Sequence, residues 1–329
     1  MRALISREAG GPRTLVVDEL PEPTCGPDMV VIDVHACGVN YPDLLVIADK
    51  YQFRPPRPFA PGGEVAGVVR SVGERVVGLA SGDRVIGLVG WNGMAEQVVC
   101  AAGKCLLMPA SMSFADGAAF LGTYGTSYHA LKQRAHMQAG ESLLVLGAAG
   151  GVGIAAVELG RAMGADVVAA VSSEAKLDFA RERGAQRGLV YPAESSDAKT
   201  LSALFRDAAP EAGFDIVYDA VGGVYAEAAF RSLAWGGRQL VVGFPAGIPS
   251  LPLNLALLKG AAAIGVFYGA FTDREPEASQ QDIAELFEFY AAGHIRPAIS
   301  SIVPLEEAAA ALELLEARSI MGKIVVMVR

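Results

Sequence analysis

The chain lacks any uninterrupted apolar run near the ~20 residues that a bilayer crossing needs, so no membrane-spanning helix is expected. Its opening residues, Met1-Arg-Ala-Leu-Ile-Ser-Arg-Glu8, hold no long apolar core of the kind a secretion signal requires. Only four cysteines (Cys25, Cys37, Cys100 and Cys105) occur in 329 residues, too few for a disulfide framework. Reduced thiols and a cytoplasmic location are therefore expected. Histidine is as scarce: His35, His129, His136 and His294 are scattered, and none stands at metal-ligand spacing from a cysteine. Charged residues make up only 19% of an otherwise apolar, globular composition. The net charge of -9 argues against nucleic acid or an anionic membrane as the main partner. No internal repeat and no low-complexity linker interrupts the chain.

The chain is long enough for one or two domains with real cores. Its first third is β-rich: Met29–His35, Glu64–Val69, Asp83–Val89 and Ala95–Cys100 are short β-branched runs. Pro55-Pro56, Pro61-Gly62-Gly63 and Ser81-Gly82-Asp83 punctuate them, which predicts a compact barrel-like domain. From about residue 117 strand and helix patterns alternate. Strands are expected at 142–147, 166–171, 188–191, 214–219 and 237–243, and helices at 151–163, 174–184, 197–208 and 223–234. Repeated βαβ units predict a parallel sheet with helices on both faces. One more strand is expected at Ala261–Tyr268, then a long helix at Pro276–Ala292, a short one at Glu306–Ala317 and a last strand at Lys323–Val328. With no linker between the domains, a cleft where they meet is the default ligand site.

The most specific local signal is Gly147-Ala-Ala-Gly-Gly-Val-Gly153, set between the apolar run Ser142–Leu146 and a helical pattern ending at Met163. Strand, glycine turn and helix in that order suit a dinucleotide pyrophosphate. Residues without bulk let the backbone approach, and the helix start offers N–H groups and a positive dipole end. Ala148 stands where the strict fingerprint has its first glycine, while Gly150 and Gly153 fit. The second strand ends near Val171 with no acidic residue to grip a ribose 2′-hydroxyl. Ser172, Ser173 and Lys176 follow instead. Hydroxyls, helix-start N–H groups and an ammonium suit a 2′-phosphate, so NADPH is the expected cofactor. Ser173 also reads as an ordinary N-cap.

With these motifs in hand, the chain resembles the medium-chain dehydrogenase/reductase superfamily, and within it the zinc-independent quinone oxidoreductases. The likeness covers essentially the whole chain. It rests on Gly38-Val-Asn-Tyr-Pro-Asp43, Pro61-Gly-Gly-Glu64, Gly82-Asp-Arg-Val85, Gly147–Gly153 and Asp219-Ala-Val-Gly-Gly223. The resemblance implies a discontinuous GroES-like β-rich catalytic domain (1–117 and 268–329) around a doubly wound Rossmann domain (118–267). Zinc-dependent members carry a cysteine where this chain has Asn40 and a histidine where it has Gly63, so no metal ligand is expected. Without a Lewis acid, hydride transfer suits acceptors already electrophilic, namely quinones or α,β-unsaturated carbonyls. An enoyl-thioester or 2-alkenal reductase is the alternative.

The resemblance also carries roles across. Asn40 lies beside nicotinamide ribose and substrate, and Tyr51 lines the cleft, hydrogen-bonding the acceptor oxygen. Thr126 lies under the nicotinamide, while Gly150, Gly151 and Val152 line the pyrophosphate. Tyr191 joins Ser172, Ser173 and Lys176 at the 2′-phosphate, with Arg318 nearby. Val242, Gly243, Phe244, Phe267 and Tyr268 border the nicotinamide. Asp43 reads as a structural acceptor at a helix start. Arg54 and Arg57 read as solvated loop charges. Relatives of this kind pair through the edge of the Rossmann sheet, and the apolar run Ala261–Val266 suits such pairing, so a homodimer is expected.

Overall fold

Met29-Val-Val-Ile-Asp-Val-His-Ala-Cys-Gly38 places β-branched residues on both faces of one long strand, and almost all of them are buried. A strand hidden on both sides must be central, and this one organises the first of two units. A computed structural model of the chain describes residues 1–192 and 197–329. It divides into Met1–Gly122 with Pro297–Arg329 (unit 1) and Thr123–Arg296 (unit 2).

Unit 1 opens with β1 (Arg2–Ile5) and β2 (Val16–Glu19), an antiparallel pair of their own. The long strand is β3 (Met29–Gly38), followed by helix α1 (Tyr41–Ile47), β4 (Glu64–Val72), β5 (Arg84–Leu88), β6 (Gln97–Ala101), β7 (Cys105–Leu107) and α2 (Phe114–Ala118). Strand β3 pairs antiparallel with both β4 and β6. Ser113 caps α2, its Oγ accepting from Asp116 N at 3.0 Å.

In unit 2 two π-helical stretches, Leu121–Gly125 (whose first residues close unit 1) and His129–Arg134, flank a short helix α3 (Thr126–Tyr128). Then β8 (Ser142–Leu146), α4 (Gly151–Ala162), β9 (Asp166–Val171), α5 (Glu174–Glu182), β10 (Arg187–Val190), α6 (Ala198–Ala208), β11 (Phe214–Asp219), α7 (Gly223–Phe230), β12 (Leu233–Val241), α8 (Leu253–Lys259), β13 (Ala262–Gly265), α9 (Tyr268–Arg274) and α10 (Pro276–Ala291) follow. The six strands form one parallel sheet in the order β10-β9-β8-β11-β12-β13, the doubly wound Rossmann arrangement. The chain then re-enters unit 1 through β14 (Ile299–Pro304), α11 (Ala308–Glu316) and β15 (Lys323–Met327). Strand β15 pairs antiparallel with β3, completing the order β14-β15-β3-β4-β5-β7. Each unit has its own apolar core. One gathers Ile32, Val34, Val65 and Ile324, the other Leu144, Val168, Phe205 and Phe230.

Four expectations change. The helix expected over 223–234 stops at Phe230, because Leu233 opens β12 by pairing with Phe214 of β11. The strand expected at Ala261–Tyr268 ends at Gly265, and Tyr268 starts α9 instead. The division between units falls after Arg296, not after residue 267. Helices α9 and α10 pack within unit 2: Phe271 stacks on His129 at 4.0 Å, and Lys132 Nζ donates to Asp282 Oδ1 at 3.0 Å. Arg57 is no solvated charge. It donates to Asp49 Oδ2 (3.1 Å), Ile47 O (2.9 Å) and Ser6 Oγ (3.3 Å), and so clamps the loop after α1.

Candidate active site

The residues expected in unit 2 lie just beyond carboxyl ends of its parallel strands or beside the glycine turn there, where ligands of open α/β sheets bind. After β8, Gly147 turns the chain with φ 67°, and Gly150 caps α4 in extended conformation. A Cβ at residue 153 would lie 2.2 Å from Gly147 O, so only glycine lets helix and turn close on each other. Backbone N–H groups at the start of α4 have no intrahelical acceptor and face outward with the positive dipole end. Thr126 is fixed beside this turn through its neighbour. Ser127 Oγ donates to Val152 O at 2.9 Å and lies 2.9 Å from the buried Tyr218 hydroxyl.

After β9, Ser173 caps α5, its Oγ accepting from Lys176 N at 3.4 Å. Lys176 Nζ reaches back to Ser172 Oγ at 3.3 Å, so the three residues form one polar group. Tyr191 N donates to Val171 O at 2.8 Å, at the end of the neighbouring strand, while its ring packs in the core against Phe205 and Tyr225 and not on the polar group. After β12, Val242 N and Gly243 N both donate to Asp219 O, at 3.0 and 3.3 Å. Phe244 and Phe267 are about half exposed, whereas Tyr268 is buried with its ring against Gly125.

Unit 1 holds Asn40, Tyr51 and Arg318. Asn40 caps α1 directly after β3, and its N donates to Asp43 Oδ2 at 2.7 Å. Asp43 Oδ1 accepts from Gly62 N at 3.1 Å, the structural role expected of it. Burial pushes the Asp43 carboxyl up to about 6 against these hydrogen bonds. Asn40 Nδ2 faces Gly38 O (3.3 Å) and Glu64 Oε2 (3.4 Å), and Glu64 Oε1 accepts from Gly122 N at 2.9 Å. Glu64 is buried, and burial raises its carboxyl as well. Tyr51 is half-buried and meets Phe53 edge-on at 5.0 Å, and Phe53 in turn meets Trp91 at 5.5 Å. Burial, and then the charge of Asp43, raise the Tyr51 phenol, so it is a donor and not a base. Arg318 is exposed after α11, with φ 54°.

Sequence reading missed Lys323. It is only 4% exposed, and its Nζ donates to Val39 O at 2.7 Å and Asn40 Oδ1 at 2.8 Å. The signal was available: a single cation opens a strand and is followed by Ile324, Val325 and Val326, all fully buried. Burial lowers its pKa, opposed first by Glu64 and then by Asp43.

Asn40 and Gly63 offer neither thiolate nor imidazole, and the amide oxygen of Asn40 already accepts from an ammonium. The nearby Cys37 thiol is pushed well above its usual range by burial and by the Asp43 and Glu64 charges. Among the described residues no group of three or more His, Cys, Asp or Glu side chains is placed to hold a metal.

Two domain families match the chain: alcohol dehydrogenase GroES-like domain over residues 26–140, and zinc-binding dehydrogenase over residues 163–326. Quinone oxidoreductase-like protein 2 homolog of Nematostella vectensis is 34% identical over 99% of this chain and 88% of its own length. A mycobacterial protein solved in complex with NADPH superposes with a TM-score of 0.92 at 29% identity, covering 100% of both chains. The quinone oxidoreductase of Thermus thermophilus, also solved with NADPH, gives 0.84 at 32% identity over 100% of both.

Proposed function

This chain belongs to the quinone oxidoreductase family of the medium-chain dehydrogenase/reductase superfamily, and on that premise we propose that it is an NADPH-dependent, zinc-independent reductase of quinones or α,β-unsaturated carbonyls. The observation that carries the reading is the polar group after β9. Ser173 caps α5 while Lys176 reaches Ser172, with no carboxylate at the strand end. That group offers a 2′-phosphate an ammonium, two hydroxyls and a helix start. Two relatives of the same fold carry NADPH. The glycine turn would take the pyrophosphate, and Val242, Gly243, Phe244, Phe267 and Tyr268 the nicotinamide end. Arg318 would assist at the phosphate.

NADPH when bound supplies a hydride from C4 of its nicotinamide. A quinone would take up that hydride with one proton to give a hydroquinone, and a conjugated carbonyl would take up the hydride at its β-carbon and the proton at its α-carbon. In this chain Tyr51 and Asn40 are the groups that would meet the acceptor oxygen, both as donors. Because the zinc positions hold Asn40 and Gly63, carbonyl polarisation falls to such hydrogen bonds.

We also assign a homodimer. Strand β13 has one paired edge, and Trp235 of its partner strand β12 and Leu253, Leu257 and Leu258 of the preceding helix α8 are 68–80% exposed. An apolar sheet edge of that kind is a pairing surface. No helix among the described residues is long and apolar enough to cross a membrane.

The test follows NADPH absorbance with benzoquinone, naphthoquinone, a 2-alkenal and crotonyl-CoA as acceptors, and NADH in parallel. Turnover of a quinone or alkenal, faster with NADPH, is expected. Preference for NADH would overturn the phosphate site, and turnover of the thioester alone would move the substrate class. Elemental analysis should find no stoichiometric zinc. Sedimentation should give a dimer that Leu257→Glu dissociates.

A further inference from the structure

The buried ammonium of Lys323 has no part in the proposed reduction. Lys323 opens β15, lies 283 residues from Asn40 in sequence, and is almost completely enclosed. A buried ammonium is costly unless it is paired and hydrogen-bonded. Here it is, but the way it is paired has a directional consequence.

An ammonium has only donors, and a carboxylate only acceptors. The Asn40 amide stands between one of each. Its oxygen must therefore face Lys323 Nζ, at 2.8 Å, and its nitrogen must face Glu64 Oε2, at 3.4 Å. Turning the amide over would set NH₂ against NH₃⁺ and oxygen against carboxylate. The partners themselves are held: Glu64 by Gly122 N at 2.9 Å, Lys323 by Val39 O at 2.7 Å. The backbone of Asn40 is held by Asp43 at 2.7 Å. The grip on the amide is uneven. Its oxygen bond is short, while both nitrogen contacts, to Gly38 O at 3.3 Å and Glu64 at 3.4 Å, are long. The N–H groups are the less firmly engaged part.

We propose that Lys323 is a positioning residue: its ammonium locks and polarises the Asn40 carboxamide, so that this amide meets the acceptor as a hydrogen-bond donor and never as an acceptor. The proposal rests on the reading of Asn40 as a group that touches the substrate. Hydride addition leaves negative charge on the acceptor oxygen, and a preorganised donor stabilises that charge where a free-turning amide would not. Glu64 then has a second role. It repels the amide oxygen and balances the ammonium.

The experiment uses the full chain with NADPH and the best quinone acceptor. Lys323→Met should lower kcat roughly 10²-fold, the scale of a misplaced catalytic group, with NADPH affinity within about threefold of the parent. Asn40→Ala should lower kcat similarly. In the Asn40→Ala background, Lys323→Met should have no further effect on kcat, because it acts through that amide. Should Lys323→Met fail to fold, Lys323→Met with Glu64→Gln removes both opposed charges, and the same loss is expected from that pair. Losses that multiply in the double variant with Asn40→Ala, or a kcat within threefold of the parent, would overturn the proposal. Amide orientation is read without turnover: the side-chain NH₂ resonances of Asn40 should move in Lys323→Met. Unmoved resonances overturn the positioning role even in an active enzyme. A parent protein that reduces no acceptor overturns the functional reading and leaves the resonance result standing.

Discussion

Units 1 and 2 build their candidate regions from different materials. In unit 2 the turn after β8 offers backbone and empty space: Gly147, Gly150, Gly151 and Gly153 within seven residues, with a helix start behind them. In unit 1 the group around Asn40 is made of buried side chains, two carboxylates and one ammonium, drawn from α1, β4 and β15. A backbone site tolerates little added bulk. A side-chain site tolerates little loss of charge. The contrast makes separate demands on variants of each kind.

The largest expected effect is in unit 1. Lys323→Met strands Glu64 in an apolar interior and should cost about 3–5 kcal/mol in denaturant unfolding. Adding Glu64→Gln should recover part of that loss. A loss below about 1 kcal/mol would mean that the ammonium is not compensating buried charge. Next comes the glycine turn. Gly153→Ala forces a Cβ to 2.2 Å from Gly147 O, and such overpacking should cost about 1–3 kcal/mol, with weaker NADPH binding by fluorescence titration. Unchanged binding would show that the turn is not the pyrophosphate seat.

A smaller effect sharpens the nucleotide assignment. Lys176→Ala should weaken NADPH by about tenfold, the worth of one charged hydrogen bond, and leave NADH nearly unaffected. Equal losses for both nucleotides would detach Lys176 from the phosphate. The smallest effect is a slope. Asp43 titrates near 6 in the folded chain against 3.8 unfolded, so the folded state holds its proton more tightly. Its contribution favours folding fully below about 3.8 and is lost as pH rises through about 6. Asp43→Asn should flatten the fall in unfolding free energy over that window, and an unaltered slope would assign it to other groups.

The same contrast explains what could be read in advance. The glycine turn, the cap at Ser173 and the six-strand alternation are local patterns, and each sits within a few residues of sequence. The amide between Lys323 and Glu64 is not local, because its partners come from β15 and β4. Arg57 misled for the same reason: its partners Ser6, Ile47 and Asp49 come from separate segments of unit 1. The over-long helix expected at 223–234 followed an alanine-rich pattern that long-range pairing of Leu233 with Phe214 overrides. That Asn40 and Gly63 stand where zinc-dependent relatives carry cysteine and histidine could be read from the sequence, but the bond from Lys323 to the Asn40 amide could not.

Strand β15 carries a consequence for synthesis. Asn40 leaves the ribosome early, with its cap, its strand and its carboxylate neighbours soon after it. Its ammonium partner follows only after the whole of unit 2 has been made. A nascent chain that has not yet exposed residue 323 therefore lacks the ammonium that meets the Asn40 amide oxygen in the finished fold.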